Sequence, residues 1–133
     1  MATDELVYLP IEEAISLHIF LMRSWDELYF GVDRRDLIES AIARPQQAAV
    51  YEGADMIRQA ASMCFGLIKN HPWVGGNKRT ATFLMEAFLE LNGSELAAED
   101  DEIVQAALDI EADRWGVDEI EAWLRQRVVP TKD

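Results

Sequence analysis

The stretch from His71 through Gly75, Gly76, Asn77, Lys78 and Arg79 to Thr80 runs without a break into the apolar segment 81–91, and this junction restricts the fold more than any other part of the chain. The first turn of a helix leaves N–H groups without intrahelical partners, and adjacent glycines let an anion approach the bare backbone. Asn77 is a candidate cap for that helix, while Lys78 and Arg79 add full charges to the partial charge of the helix dipole. His71 stands at the mouth of this cradle as a candidate base. The pattern describes a phosphate site in which Gly75, Gly76, Asn77, Lys78 and Arg79 bind and His71 is catalytic.

The segment that follows indicates where such a site would lie. Ala81, Phe83, Leu84, Met85, Ala87, Phe88, Leu89 and Leu91 leave only a narrow polar line at Arg79, Thr82, Glu86 and Glu90, as in a helix surrounded by others. Asn92 and Gly93, which tolerate a left-handed backbone, end it. A central buried helix is therefore expected over 77–92, with the anion loop held rigidly at its start.

With 133 residues, half of them hydrophobic, the chain is expected to form one domain over 1–133 around a single core. Its net charge of −13 weighs against direct nucleic-acid binding, which needs cations against phosphates, and suits a basic partner better. Cys64 is the single cysteine; it excludes an intrachain disulfide and falls on an apolar helical stripe, as inert packing. No basic region followed by an apolar run opens the chain, and no apolar stretch is long enough to span a bilayer, which points to the cytoplasm and away from the membrane.

Helical periods account for most of the remaining chain. Residues 6–9 read as a short strand or an extended arm, followed by a helix over 11–23 that starts at Pro10 and carries Ala14, His18 and Met22 on one face. His18 reads as a core histidine bonded to a backbone carbonyl, since no partner stands at metal-ligand spacing. Residues 24–31 lack a period and read as a loop that buries Trp25, Tyr29 and Phe30. A second helix is expected from a cap at Asp33 to Arg44 and Pro45. A third, from Ala54, buries Met56, Ala60, Cys64 and Ile68 and turns Asp55, Gln59, Ser62 and Lys69 outward. Beyond the central helix come a brief extended piece within 93–98, a helix opened by the acids of 99–102, a last helix over 117–128 and a frayed tail over 130–133. The class is all-α: a compact bundle of about six helices around the central one, with at most one small β-hairpin.

The series His71, Trp73, Gly75, Gly76, Asn77, Lys78, Arg79 and Thr80 resembles the signature of the Doc branch of the Fic/Doc family. That signature is a histidine, an aromatic two residues on, an Asp or Asn, a small residue and then Asn-Lys-Arg-Thr. The resemblance extends through 37–46, 51–55 and 88–93. It implies a small helical toxin of a toxin–antitoxin pair, similar to Doc kinases that use ATP and Mg2+ to phosphorylate a threonine of elongation factor Tu and so block translation. It also implies a cognate Phd-like antitoxin that lays a helical tail into a groove. Lys78 marks the branch. Fic enzymes, which transfer AMP, have a glycine there, and a lysine fills space left for a diphosphate, so the nucleotide is expected to lie reversed. Carried over by position, His71 is the general base, Asn77, Lys78 and Arg79 hold the phosphates, and Trp73 anchors its ring under the loop.

One position departs from the pattern. Where Gly75 stands, the family normally has a carboxylate or amide that helps hold magnesium. Three accounts stay open: a weakened enzyme, a ligand borrowed from Asp55 or Glu52, or a substitution selected because the active toxin harms its host. Gly75→Asp is accordingly expected to make the chain more harmful to a bacterial host. Two other readings stand beside the kinase: a catalytically inactive Doc-like protein that binds an antitoxin segment, and a Fic-type AMP transferase.

Overall fold

Apolar residues at helical spacing drive the elements onto one another. The computed structural model describes residues 5–131. Its helices are α1 (Ile11–Ser24), α2 (Arg35–Glu52), α3 (Met56–Asn70), α4 (Asn77–Leu91), α5 (Asp100–Glu111) and α6 (Val117–Arg125). Two short strands, β1 (Ser94–Leu96) and β2 (Val128–Pro130), pair antiparallel with Leu96 opposite Val128. The all-α class holds, and the small β pair joins chain segments separated by α5 and α6.

Helix α4 packs against α1, α3, α5 and β1, while α3 packs against α2, α4, α5 and α6. The centre is therefore this pair of helices. Met63, Leu67 and Ile68 of α3 share one core with Leu84, Met85, Phe88 and Leu89 of α4, and each such side chain contributes roughly 1.5–3 kcal/mol by leaving water. Cys64 lies inside, its thiol pushed up to about 12 by burial, the inert packing its stripe implied. Residues 6–9 form the extended arm, tied to the end of α4 where Asn92 accepts from Val7 N and donates to Val7 O.

Several local expectations give way to tertiary packing. Pro45 does not end α2, which runs through it to Glu52 and closes on Gly53 in the left-handed region (φ 65°). A proline costs one helical hydrogen bond, and here the turn is held from outside. Arg44 donates from Nε to Ser62 O at 2.8 Å and lies over the Phe65 ring, in space that a side chain at Gly66 would fill. That contact also buries Ser62, and Gln59 is buried by bonds to Tyr8 and Ala54, so neither faces solvent as the period alone suggested. The last helix stops at Arg125 rather than 128, because the β-branched Val128 and Val129 pair with β1 instead. The same pairing orders Pro130, expected in a frayed tail; Lys132 and Asp133 lie outside the described residues. Val104 of α5 is exposed.

The segment between α1 and α2 also departs from expectation. Asp33 is not a cap: its N–H and that of Arg34 both donate to Pro72 O at 3.0 Å, and α2 starts at Arg35. Trp25 and Tyr29 stand exposed and Phe30 is half-buried, because the space beneath is taken by Met22, His18 and Trp73, all buried. This segment thus covers the loop before α4 with its backbone, while Trp25 and Tyr29 face out.

Candidate functional site

Helix α3 ends where His71 takes a left-handed conformation (φ 50°, ψ 54°), a strained choice for a residue with a Cβ. Its side chain is 55% exposed. The next turn of chain is tied down at several points. Trp73, 2% exposed, stacks on His18 with ring centroids 4.1 Å apart, which makes it the anchor expected of it. Val74 N donates to Gly31 O at 2.9 Å.

Asn77 is the first residue of α4 and not its cap. Its amide clamps the loop from inside, accepting from Trp73 N and donating to Trp73 O, each at 3.0 Å. The cap position is Gly76, left-handed at φ 69°, where a Cβ would meet the Met22 sulfur at 2.5 Å. Asn77 therefore shapes the cradle, and the free N–H groups of the first helical turn, with Lys78 and Arg79, are what an anion would touch.

His18 sits under this loop. Its Nε2 accepts the Gly31 N–H at 3.0 Å, which fixes the neutral tautomer with Nδ1–H donating to Thr80 Oγ1 at 2.8 Å. It is a core histidine as read, but it takes a backbone N–H rather than giving to a carbonyl. Burial pushes its pKa down to about 4.

The cations meet carboxylates that the sequence motif does not contain. His71 Nε2 and Lys78 Nζ converge on one oxygen, Glu111 Oε2, at 3.2 and 3.1 Å. The Lys78 ammonium first, and then His71, hold the Glu111 carboxyl below the usual range. Arg79 Nη1 lies 3.3 Å from Glu27 Oε2, with its guanidinium 4.4 Å over the Trp25 ring. One signal for Glu111 was available in the sequence: it is an acid at a helix C-terminus, where the dipole disfavours it.

From this mouth a cleft of about 720 Å³ runs between α4 and α5. The helices are antiparallel there, since Glu111 meets Lys78 while Asp100, at the other end of α5, repels Glu86. Phe83, Ile103, Val104 and Ala107 give it apolar walls. Glu86, eight residues or about 12 Å along α4 from Lys78, lies at the far end with its pKa raised, chiefly by burial and then by Glu90 and Asp100.

The backbone conformation of Gly75 is not what forces a glycine there; its neighbour is. A Cβ at Gly75 would stand 2.5 Å from the Tyr29 carbonyl oxygen. Gly75→Asp is thus no simple restoration of a carboxylate, because the covering segment must first move. Gly75→Ala is expected to lower stability by about 1–2 kcal/mol, read as a fall in Tm.

Borrowed ligands do not fill the gap. Asp55 caps α3 and pairs with Arg125, and Glu52 pairs with Arg58; neither lines the cleft. Among the described residues no group of three or more His, Cys, Asp or Glu is placed to hold a metal ion. Gly75 itself offers no side chain to a magnesium ion. No helix among the described residues is long and apolar enough to cross a membrane.

Two comparisons bear on this geometry. The model of the Fic/DOC family matches residues 8–89, from the arm before α1 to the last turn of α4. Over 69 residues the chain is 45% identical to toxin Doc of Mycolicibacterium smegmatis, covering 49% of this chain and 52% of that protein. The chain thus spans about half the length of this curated relative.

Proposed function

This chain belongs to the Fic/DOC family, and on that premise we propose that it is a toxin of a toxin–antitoxin pair that acts as a Doc-type protein kinase. The reaction moves the terminal phosphate of ATP to a threonine hydroxyl of elongation factor Tu, blocking translation. The observation that carries this reading is the single anionic oxygen held between His71 Nε2 and Lys78 Nζ at the start of α4. Lys78, which holds a carboxylate oxygen here, can hold a phosphate oxygen in the same way, and that leaves His71 beside the phosphate and free to take a proton.

The residues divide the work by position. Lys78, Arg79 and the N–H groups at the start of α4 hold the phosphates and offset charge on the transferring group. His71, open to solvent, takes the proton of the incoming hydroxyl as its oxygen bonds to phosphorus and ADP leaves. The apolar cleft beyond suits the nucleoside. Magnesium enters with the nucleotide as part of the substrate, keeping its phosphate and water ligands, and no step is routed through a protein-held ion. An amphipathic antitoxin segment, basic to match the net charge of −13, is read against the exposed Phe20, Trp25, Leu28 and Tyr29.

Gly75 favours a second reading, a catalytically silent Doc-like protein that only binds an antitoxin. One assay separates the readings: incubation with magnesium, ATP and purified elongation factor Tu, with label on either the terminal or the alpha phosphate. Terminal label on the factor is the expected result. Alpha label there means AMP transfer, against which Lys78 argues, and absence of both labels means the silent protein.

A further inference from the structure

We infer that Trp25 is a positioning residue for Arg79: the face of its ring holds the guanidinium at the anion mouth without using the N–H donors that a phosphate needs. This rests on the nucleotide reading above; Trp25 itself stands outside the signature series, 71–80.

The dipole disfavours a cation in the first turn of a helix, and Arg79 follows Lys78 there. Left alone, so long a side chain keeps its rotamer freedom. Instead its guanidinium carbon lies 4.4 Å over the centre of the Trp25 ring. An aromatic ring attracts a guanidinium through its face, so the contact takes no donor from Arg79. Glu27 meets the same group from the Nη1 edge, at 3.3 Å, and the two contacts use different sides of it.

The ring has a fixed seat. Trp25 caps the C-terminus of α1, and Asp26 after it is left-handed (φ 54°). Asp26 N–H donates to Arg23 O at 3.1 Å and Glu27 N–H to Met22 O at 3.0 Å, the paired bonds of a Schellman stop. Met22 is buried and lies against Gly76, the cap residue of α4. The end of α1 and the start of α4 are thereby locked together, which sets the ring against the guanidinium. Trp25 is 59% exposed, so core packing does not explain a large aromatic here. Both residues line the cleft beside Lys78.

The test is calorimetric binding of magnesium-ATP to the wild-type chain, Trp25→Ala, Arg79→Met and the double variant, with Trp25→Phe and Trp25→Leu alongside, all matched for helical content by circular dichroism. Trp25→Ala is expected to weaken binding by about 2- to 5-fold. Trp25→Phe keeps a π face and should recover part of the loss, whereas Trp25→Leu should recover none. In the Arg79→Met background Trp25→Ala should change nothing, because the group it positions is gone. Equal affinity of wild type and Trp25→Ala overturns the assignment and leaves the nucleotide site standing. Recovery by Trp25→Leu, or a loss that persists beside Arg79→Met, means that the indole acts by apolar contact or touches the nucleotide itself, and also overturns it. If the wild type does not bind, the nucleotide reading falls and takes the role of Trp25 with it.

Discussion

His71→Ala is expected to lower the proposed phosphate transfer by about 10²- to 10⁴-fold, the range commonly lost with a general base. The argument is local. The side chain is 55% exposed and its hydrogen bond to Glu111 spans two half-exposed groups, an interaction worth at most about 1 kcal/mol to stability. The left-handed backbone at this position disfavours alanine, so His71→Asn is the better control, because asparagine tolerates that region. Both variants should keep the wild-type Tm within a few degrees and keep nucleotide binding through Lys78, Arg79 and the start of α4. Single-turnover rates at saturating nucleotide isolate the chemical step. Transfer that persists in both variants would remove His71 from the reaction.

What could be read from the sequence divides along physical lines. Helix α4 and its loop were legible because apolar period, glycine spacing and charge all argue for one arrangement, and the structure brings His71, Gly76, Asn77, Lys78 and Arg79 to one cleft. Gly75 stays outside the lining of that cleft, under the Tyr29 carbonyl. Pro45 misled because its local cost is offset by Arg44 reaching α3 across the interface, a contact that no window of sequence contains. Asn77 was expected as a cap and serves as an internal clamp; both roles use the same amide, and only the loop geometry decides between them. Glu111 and Glu27 lie 33 and 52 residues in sequence from the cations they meet. Periodicity cannot pair residues so far apart, and the family signature does not reach them.

Acid is expected to destabilise this protein through His18. The buried ring is neutral and aromatic-stacked, with Nε2 taken by the Gly31 N–H, and a proton on that nitrogen would face a donor. Burial pushes the folded pKa down to about 4, whereas the unfolded chain protonates near the ordinary histidine value, about 6.5. Between these values the unfolded state binds more protons. The stabilisation is therefore complete above about pH 6.5 and is lost as pH falls towards 4. The loss relative to pH 7 amounts to about 2 kcal/mol at pH 5 and about 3 kcal/mol at pH 4. Urea unfolding of the wild type and His18→Gln at pH 7 and pH 5 checks this, since the carboxyls held low, such as Glu111 and Glu121, stay ionised in the folded state over that interval. The variant should be less stable at pH 7, having lost a buried bond, but nearly flat from pH 7 to 5. A wild type that is equally flat would mean that His18 accepts its proton without breaking the Gly31 contact. If the contact does break, the segment over Gly75 is released from beneath, so loosening of the anion mouth, followed by amide exchange at Gly31 and Val74, should track the same titration.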